Sequence, residues 1–130
     1  IADLRLDSAQ ALADELNARG LNVTARGIDL ADRAAIGALL ADLPRLDVLV
    51  HNAGYFPLTP FADISPEILE RTLAVNLSAL FWLAQAALPL FTRQGGGNLR
   101  RWQCSGVFEE CRDSWLWWHA HFRQRLVQHR

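Results

Sequence analysis

The run Leu46-Asp47-Val48-Leu49-Val50-His51, which stops at Asn52-Ala53-Gly54, constrains the fold more than any other part of this sequence. Val48 and Val50 favour extended backbone, and a short apolar run bounded by turn residues is the pattern of a strand buried on both faces of a parallel sheet. Parallel strands cannot be joined by tight hairpins; each needs a crossover of a dozen or more residues, usually a helix. Helical patterns should therefore lie on both sides of this run.

They do. Residues 1–3 read as the end of a strand, and Asp7-Ser8-Ala9-Gln10 has the form of a capping box, so a helix is expected to about Ala18, with Gly20 as its left-handed stop. Leu21, Val23 and Ala25 at period two predict a strand over 21–28 that ends at Asp29-Leu30. Ile36, Leu39, Leu40 and Leu43 recur at helical spacing and predict a helix over 32–42, with Pro44 just beyond it. After the Asn-Ala-Gly turn, Ser65-Pro66-Glu67 supplies a cap, a first-turn proline and a dipole-favourable acid. The long helix that starts there should bury a stripe of Leu73, Leu77, Leu80, Ala84 and Leu88. Phe81, Trp82, Leu83 and Phe91 add apolar surface on its other sides, and Pro89 should bend or end it. Gly95-Gly96-Gly97 then connects to another strand.

Alternation of strand and helix defines an α/β doubly wound parallel sheet of Rossmann-like order. The composition agrees: 130 residues, 51% hydrophobic and 21% charged, suit one domain. Thirteen basic against fourteen acidic side chains exclude a dedicated nucleic-acid binder, and two cysteines do not make a disulfide scaffold. The longest apolar stretch, 79–91, is broken by Gln85 and too short for a bilayer, and no signal-peptide pattern opens the chain. The expected location is cytoplasmic, without a membrane. The sequence lacks methionine, so Ile1 is not an initiator and a fragment of a longer frame is expected. It also lacks lysine and has one tyrosine, Tyr55, which excludes chemistry needing a tyrosine and a lysine together.

Ligands of such a sheet sit beyond the carboxyl ends of its strands. Those ends are Asp3, Asp29-Leu30 and Asn52-Ala53-Gly54, each polar or small enough for a nucleotide.

With these residues identified, the chain resembles the short-chain dehydrogenase/reductase family over residues 1–98. His51-Asn52-Ala53-Gly54 is similar to the family's Asn-Asn-Ala-Gly strand end, Asp29-Leu30 to its adenine-contacting Asp-Val pair, and Val75-Asn76 to the helix Asn of its catalytic tetrad. The resemblance implies an oxidoreductase that transfers a hydride between a nicotinamide and a small alcohol or ketone. The cofactor is expected to be NAD, with NADP the alternative: Asp3 suits two ribose hydroxyls and would repel a 2′-phosphate, although Arg5 lies beside it. Asp29 would accept from the adenine amino group, or else cap the next helix, and Leu30 would touch the ring. Ala53 and Gly54 would admit the cofactor close to the backbone, with Asn52 fixing that turn. Asn76 would join the proton relay; in an apolar helix it needs a partner, since an unpaired buried amide costs roughly 1–3 kcal/mol. His51 replaces the family's first Asn and is read as structural, and Tyr55 does not stand where the family's catalytic Tyr does.

The resemblance also shows what departs from the pattern. The first strand and the phosphate-binding glycine loop would precede residue 1, and the catalytic Ser and Tyr-x-x-x-Lys are absent after Gly97. The expectation is a partial sheet lacking its first strand, inactive as a dehydrogenase, with exposed strand edges that favour aggregation or a homo-oligomer through the helix over 66–92. The alternative is a non-catalytic nucleotide-binding or interaction module.

Residues 99–130 differ in kind. Residues 1–98 carry seven arginines against eleven acids, whereas the tail carries six against three, together with four of the five tryptophans, three of the four histidines and both cysteines. The abrupt change marks a domain boundary and motivates the hypothesis of an out-of-frame tail. Cys104, Cys111, His119 and His121 match no common zinc spacing, so no metal site is expected. Interleaved Trp and Arg weakly suggest single-strand stacking, opposed by the three acids. Trp115, Trp118, Phe122 and Leu126 lie at helical spacing.

Overall fold

The computed structural model describes residues 1–101; the sequence readings that concern 102–130 lie outside the described residues. The order is β1 (Ala2–Asp3), α1 (Leu6–Ala18), β2 (Arg26–Gly27), α2 (Arg33–Ala41), β3 (Val48–His51), α3 (Pro66–Leu73), a π-helical turn (Ala74–Ser78), α4 (Ala79–Gln94) and β4 (Asn98–Arg101). All four strands pair in parallel, β1 with β2 and β3 with β4, as two separate two-stranded sheets. This is the α/β, partial Rossmann-like arrangement expected from the alternation. β4 runs across the junction between Asn98 and Leu99, in register with Val48 to His51.

Local chemistry sets most boundaries. Asp32 caps α2 by accepting from the Ala34 and Ala35 N–H groups, and Ser65 caps α3 by accepting from Ile68. Gly20 ends α1 at φ 85°, and Gly95 ends α4 at φ 83°, a conformation that a Cβ disfavours. The capping box proposed at Asp7 is not formed: α1 starts earlier, at Leu6, behind Arg5 as N-cap. Asp7 thereby moves into the first turn, where it still favours the helix dipole, and Gln10 donates to Asp14 one turn on.

Side-chain amides then tie helices to loops. Asn17 accepts from the Val23 N–H at 2.7 Å and donates to its carbonyl at 2.9 Å. Gln94 treats Leu46 the same way, accepting at 3.1 Å and donating at 2.5 Å. The Asn17 clamp also explains why the strand expected over 21–28 shrinks to Arg26–Gly27: the backbone of Val23 is already satisfied by a helix side chain.

The core joins Ile28, Ile36, Leu40, Ala79, Leu83, Ala87 and Leu90, with Leu49 from β3 packed against it. Complete burial of each large aliphatic side chain stabilises the fold by roughly 1.5–3 kcal/mol. Ala79 and Ala87 leave α4 narrow where neighbours approach, and Arg33 of α2 stacks over the Trp82 ring, 4.1 Å from its centroid.

Three expectations about burial are corrected. β3 is not covered on both faces: Leu49 packs on the core, while Val48 and Val50 are 51% and 55% exposed, because no described element covers their side. The long helix buries Val75, Ala79, Leu83, Ala87 and Leu90, whereas Leu73, Leu77 and Leu88 of the expected stripe are exposed. A helix apolar on nearly every side does not reveal its buried phase by periodicity. Pro89 does not end it, and α4 runs on to Gln94.

The helix is also longer than the apolar stretch that was weighed against a bilayer. Pro66–Gln94 runs for 29 residues and is long and apolar enough, by length and composition alone, to cross a membrane. Core helices of α/β layers pass the same test, and this one contributes Ala79, Leu83, Ala87 and Leu90 to the core.

Candidate functional site

The rim residues lie where the strands end. Asp3 is the last residue of β1, and its Oδ1 accepts from the Arg5 N–H at 2.8 Å, which turns the chain into α1. Asp29 lies two residues beyond β2, beside that position, because Asp3 pairs with Gly27 and its carbonyl accepts from the Ile28 N–H. Asn52, Ala53 and Gly54 follow β3 directly and are exposed.

Asp29 does not cap α2; that role falls to Asp32. Its Oδ1 instead accepts from the Ala31 N–H at 2.9 Å, and its Oδ2 accepts from Arg71 Nη1 of α3 at 2.8 Å. The Arg71 guanidinium, helped by the Ala31 N–H, holds the Asp29 carboxyl below the usual aspartate value. The sequence reading missed Arg71, since it lies forty-two positions away and in no recognised motif.

Asn76 has the partner its environment demands. In the π-helical turn, Oδ1 accepts from the Tyr55 N–H at 2.7 Å and Nδ2 donates to the Tyr55 carbonyl at 3.0 Å. The Asn76 carbonyl, lying in the same wide turn, accepts from Arg101 at 2.9 Å. π-turns disturb the regular ladder and often mark functional sites in helices. Arg71 and Asn76 are five residues apart, about 7.5 Å of helical rise. One helix therefore fixes both the loop after β2 and the loop after β3.

Gly54 behaves differently from expectation in one respect. The space a Cβ would need there is taken by the ring of Phe56. Phe56 is itself largely exposed, so a flexible side chain, rather than backbone, lies over the glycine.

His51 is 3% exposed, and among the described residues neither ring nitrogen has a hydrogen-bond partner. Burial lowers its pKa and the nearby charge of Arg101 lowers it further, while the backbone of Val75 pulls the other way. Among the described residues no cluster of three metal-ligating side chains is present.

Two parallel strand pairs, helices between them and polar residues at the strand ends define the class: an α/β domain of the dinucleotide-binding type. The sequence model of the family described as short chain dehydrogenase matches residues 1–99, and the chain belongs to that family. It is 38% identical over 104 residues to D-threitol dehydrogenase of Mycolicibacterium smegmatis, a match covering 75% of this chain and 39% of the relative. It is 34% identical over 102 residues to sorbitol dehydrogenase of Cereibacter sphaeroides, with the same coverage of both. The chain thus spans about two fifths of these relatives.

Solved structures agree on the fold. A metagenomic short-chain oxidoreductase in complex with NADP superposes with TM-score 0.70 at 28% identity, covering 77% of this chain and 48% of that one. A 7α-hydroxysteroid dehydrogenase complexed with NADH and 7-oxo glycochenodeoxycholic acid gives 0.70 at 28%, covering 78% and 41%.

The residues present fit the adenosine half of a nicotinamide dinucleotide. Asp3 engages only Oδ1 in the described hydrogen bonds, the Asp29 carboxylate is held by Arg71 and the Ala31 N–H, and a movable side chain, Phe56, lies over Gly54. Between β1 and α1 there are only Leu4 and Arg5, and no glycine turn for a pyrophosphate.

Proposed function

We propose that this chain provides the adenosine-binding part of an NAD- or NADP-dependent oxidoreductase acting on a small alcohol or ketone. The observation that carries it is the double anchoring by one helix: Arg71 holds Asp29 and Asn76 holds Tyr55, so the two rim loops are kept beside each other. The names of the relatives, sorbitol and D-threitol dehydrogenases, support an alcohol or polyol as the substrate class.

In this reading Asp3 accepts from the ribose hydroxyls, which favours NAD, and Asp29 accepts from the adenine amino group beside Leu30. Asn52, Ala53 and Gly54 line the approach to the second ribose, Phe56 moving aside as the cofactor enters. The bound nicotinamide would supply a hydride carrier. Asn76 holds the loop after β3 through its side chain, while its own carbonyl accepts from Arg101. The sequence contains no lysine, so a tyrosine–lysine proton transfer cannot run on this chain alone, and the 130-residue polypeptide is inactive as a dehydrogenase.

A cytoplasmic location without a membrane belongs to the same reading, supported by the packing of α4 into the core. A second copy of the chain is the partner we assign to the outer face of the long helix. Leu73, Leu77 and Phe81 lie there at spacings of four, and all are exposed. Residues 99–130 we treat as a divergent tail, its first residues, Leu99 to Arg101, continuing β4 beside β3.

Titration of the purified chain with NAD and NADP, followed by calorimetry and by light scattering on a sizing column, tests these points. Saturable binding, tighter for NAD, in a dimer that does not oxidise NADH with any ketone is the expected result. Absence of nucleotide binding overturns the reading, and turnover overturns the claim of inactivity.

A further inference from the structure

We propose that Arg71 is a positioning residue that sets base specificity: by pinning the Asp29 carboxylate it makes the adenine end of the site select a purine with a 6-amino group. The inference rests on the nucleotide reading given above and extends it to a residue on a different element.

Asp29 stands on a loop just beyond a two-residue strand, where little backbone pairing fixes it. Left alone, its side chain would sample several rotamers. Instead each carboxylate oxygen is held by a group from a different part of the fold, Oδ1 by the Ala31 N–H of its own turn and Oδ2 by Nη1 of Arg71 from α3. A carboxylate oxygen has two acceptor positions, so one on each remains unused by these two bonds. Both side chains are about one-third exposed, 33% for Arg71 and 37% for Asp29, which leaves the carboxylate reachable by a ligand.

The chemistry follows from the charge state. An ionised carboxylate only accepts, and so it welcomes an amino group and repels a carbonyl oxygen; a protonated acid could satisfy either. An aspartate is ionised at neutral pH in any case; Arg71, the charged group that faces Asp29, and the Ala31 N–H lower its pKa further, and what they add is to hold its two oxygens in place. The guanidinium also fixes the plane of the carboxylate, which a more mobile ammonium would do less well. Polar groups placed in this way reject the mismatched analogue because the partner is left unpaired.

The test uses the full 130-residue chain and two probes, AMP and IMP, in which a carbonyl replaces the amino group. Binding is followed by NMR, together with the titration of the Asp29 side-chain carboxyl carbon, for the original chain and for Arg71→Gln, Arg71→Lys and Asp29→Asn. The original chain should prefer AMP by about tenfold, the worth of one charge-assisted hydrogen bond. Arg71→Gln should lose that preference and raise the Asp29 pKa, and Arg71→Lys should keep the pKa low while recovering only part of the preference. The lysine variant also serves if the glutamine variant does not fold. AMP preference that survives in Arg71→Gln, or an Asp29 titration that does not move, overturns the role of Arg71 and leaves the nucleotide reading standing. An original chain that binds neither probe overturns both, and Asp29→Asn with unchanged preference shows that Asp29 is not the base-reading group.

Discussion

The Asn76 carboxamide and the Tyr55 peptide form a closed two-bond ring: the Tyr55 N–H donates to Oδ1 at 2.7 Å and Nδ2 donates to the Tyr55 carbonyl at 3.0 Å. A side chain here does what a neighbouring strand would do. The loop after β3, which has no regular structure between His51 and Phe61, gains a fixed point from it.

Asn76→Ala should therefore destabilise the chain by about 1–3 kcal/mol, since it leaves both Tyr55 groups without their partner in a half-buried place. Asn76→Asp should cost at least as much, because a carboxylate oxygen would replace the Nδ2 donor and face the Tyr55 carbonyl. Urea unfolding measures the loss, and faster hydrogen exchange at the Tyr55 amide should localise it. Unchanged exchange there would show that the ring contributes nothing.

Histidine 51 gives a pH dependence of definite sign. Its folded pKa lies below the ordinary imidazole value of about 6.5. Between those two values the unfolded chain binds the extra proton, so stability is complete above about pH 6.5 and declines as the pH falls toward the folded value. His51→Asn should flatten the curve in that window. The depressed carboxyls of Asp29 and Asp47 act separately and lower, with stability lost only as the pH falls through the range below about 4.

Ile36 is 1% exposed and lies in the core cluster with Leu83. Ile36→Ala or Leu83→Ala should each cost about 2–5 kcal/mol through lost burial and the cavity left behind. The pair should be non-additive, because both side chains belong to one packed cluster. Equilibrium unfolding of the two single variants and the double variant gives the coupling directly; strict additivity would show that α2 and α4 do not share this contact.

The two outer glycines of the connector should respond for different reasons. Gly95 has open space around it but φ 83°, so Gly95→Ala costs about 1 kcal/mol of backbone strain. A Cβ on Gly97 would run into the Phe91 ring, so Gly97→Ala must displace that ring and should cost about 1–3 kcal/mol. Trimming the ring as well, in Gly97→Ala with Phe91→Leu, should recover part of the second loss and none of the first.

How much of this was legible in the sequence depends on the range over which each cause acts. Caps and stops that act within a turn, such as Ser65 and Gly20, could be read, and so could the alternation that makes the sheet parallel, whereas the cap of α2 falls to Asp32 and not to Asp29, the residue weighed for it. The phase of the long helix could not, because its composition is apolar on nearly every side and only the neighbours decide which side is buried. The amide clamps of Asn17, Asn76 and Gln94 were invisible for another reason: their partners lie six to forty-eight residues away and are backbone groups, which every residue possesses. Asn76 was singled out, and its need for a partner foreseen, but Tyr55 was not named as that partner. Arg71 carries no local pattern at all, although it holds the carboxylate on which the adenine reading depends.

The wide turn at Ala74–Ser78 has a bearing on how this chain tolerates change in length. Each residue advances an α-helix by about 100°, so a turn that takes one residue more than an α-turn absorbs that residue and keeps the helix after it in phase with the helix before it. Removing one residue there would give an unbroken α-helix that still presents Leu83, Ala87 and Leu90 to α2, whereas removing one from the regular part of α4 would swing the residues beyond it by about 100°. A single-codon deletion in this region should thus be borne better than one inside α4, because the irregularity acts as slack between the half of the helix that grips the loops and the half that fills the interior.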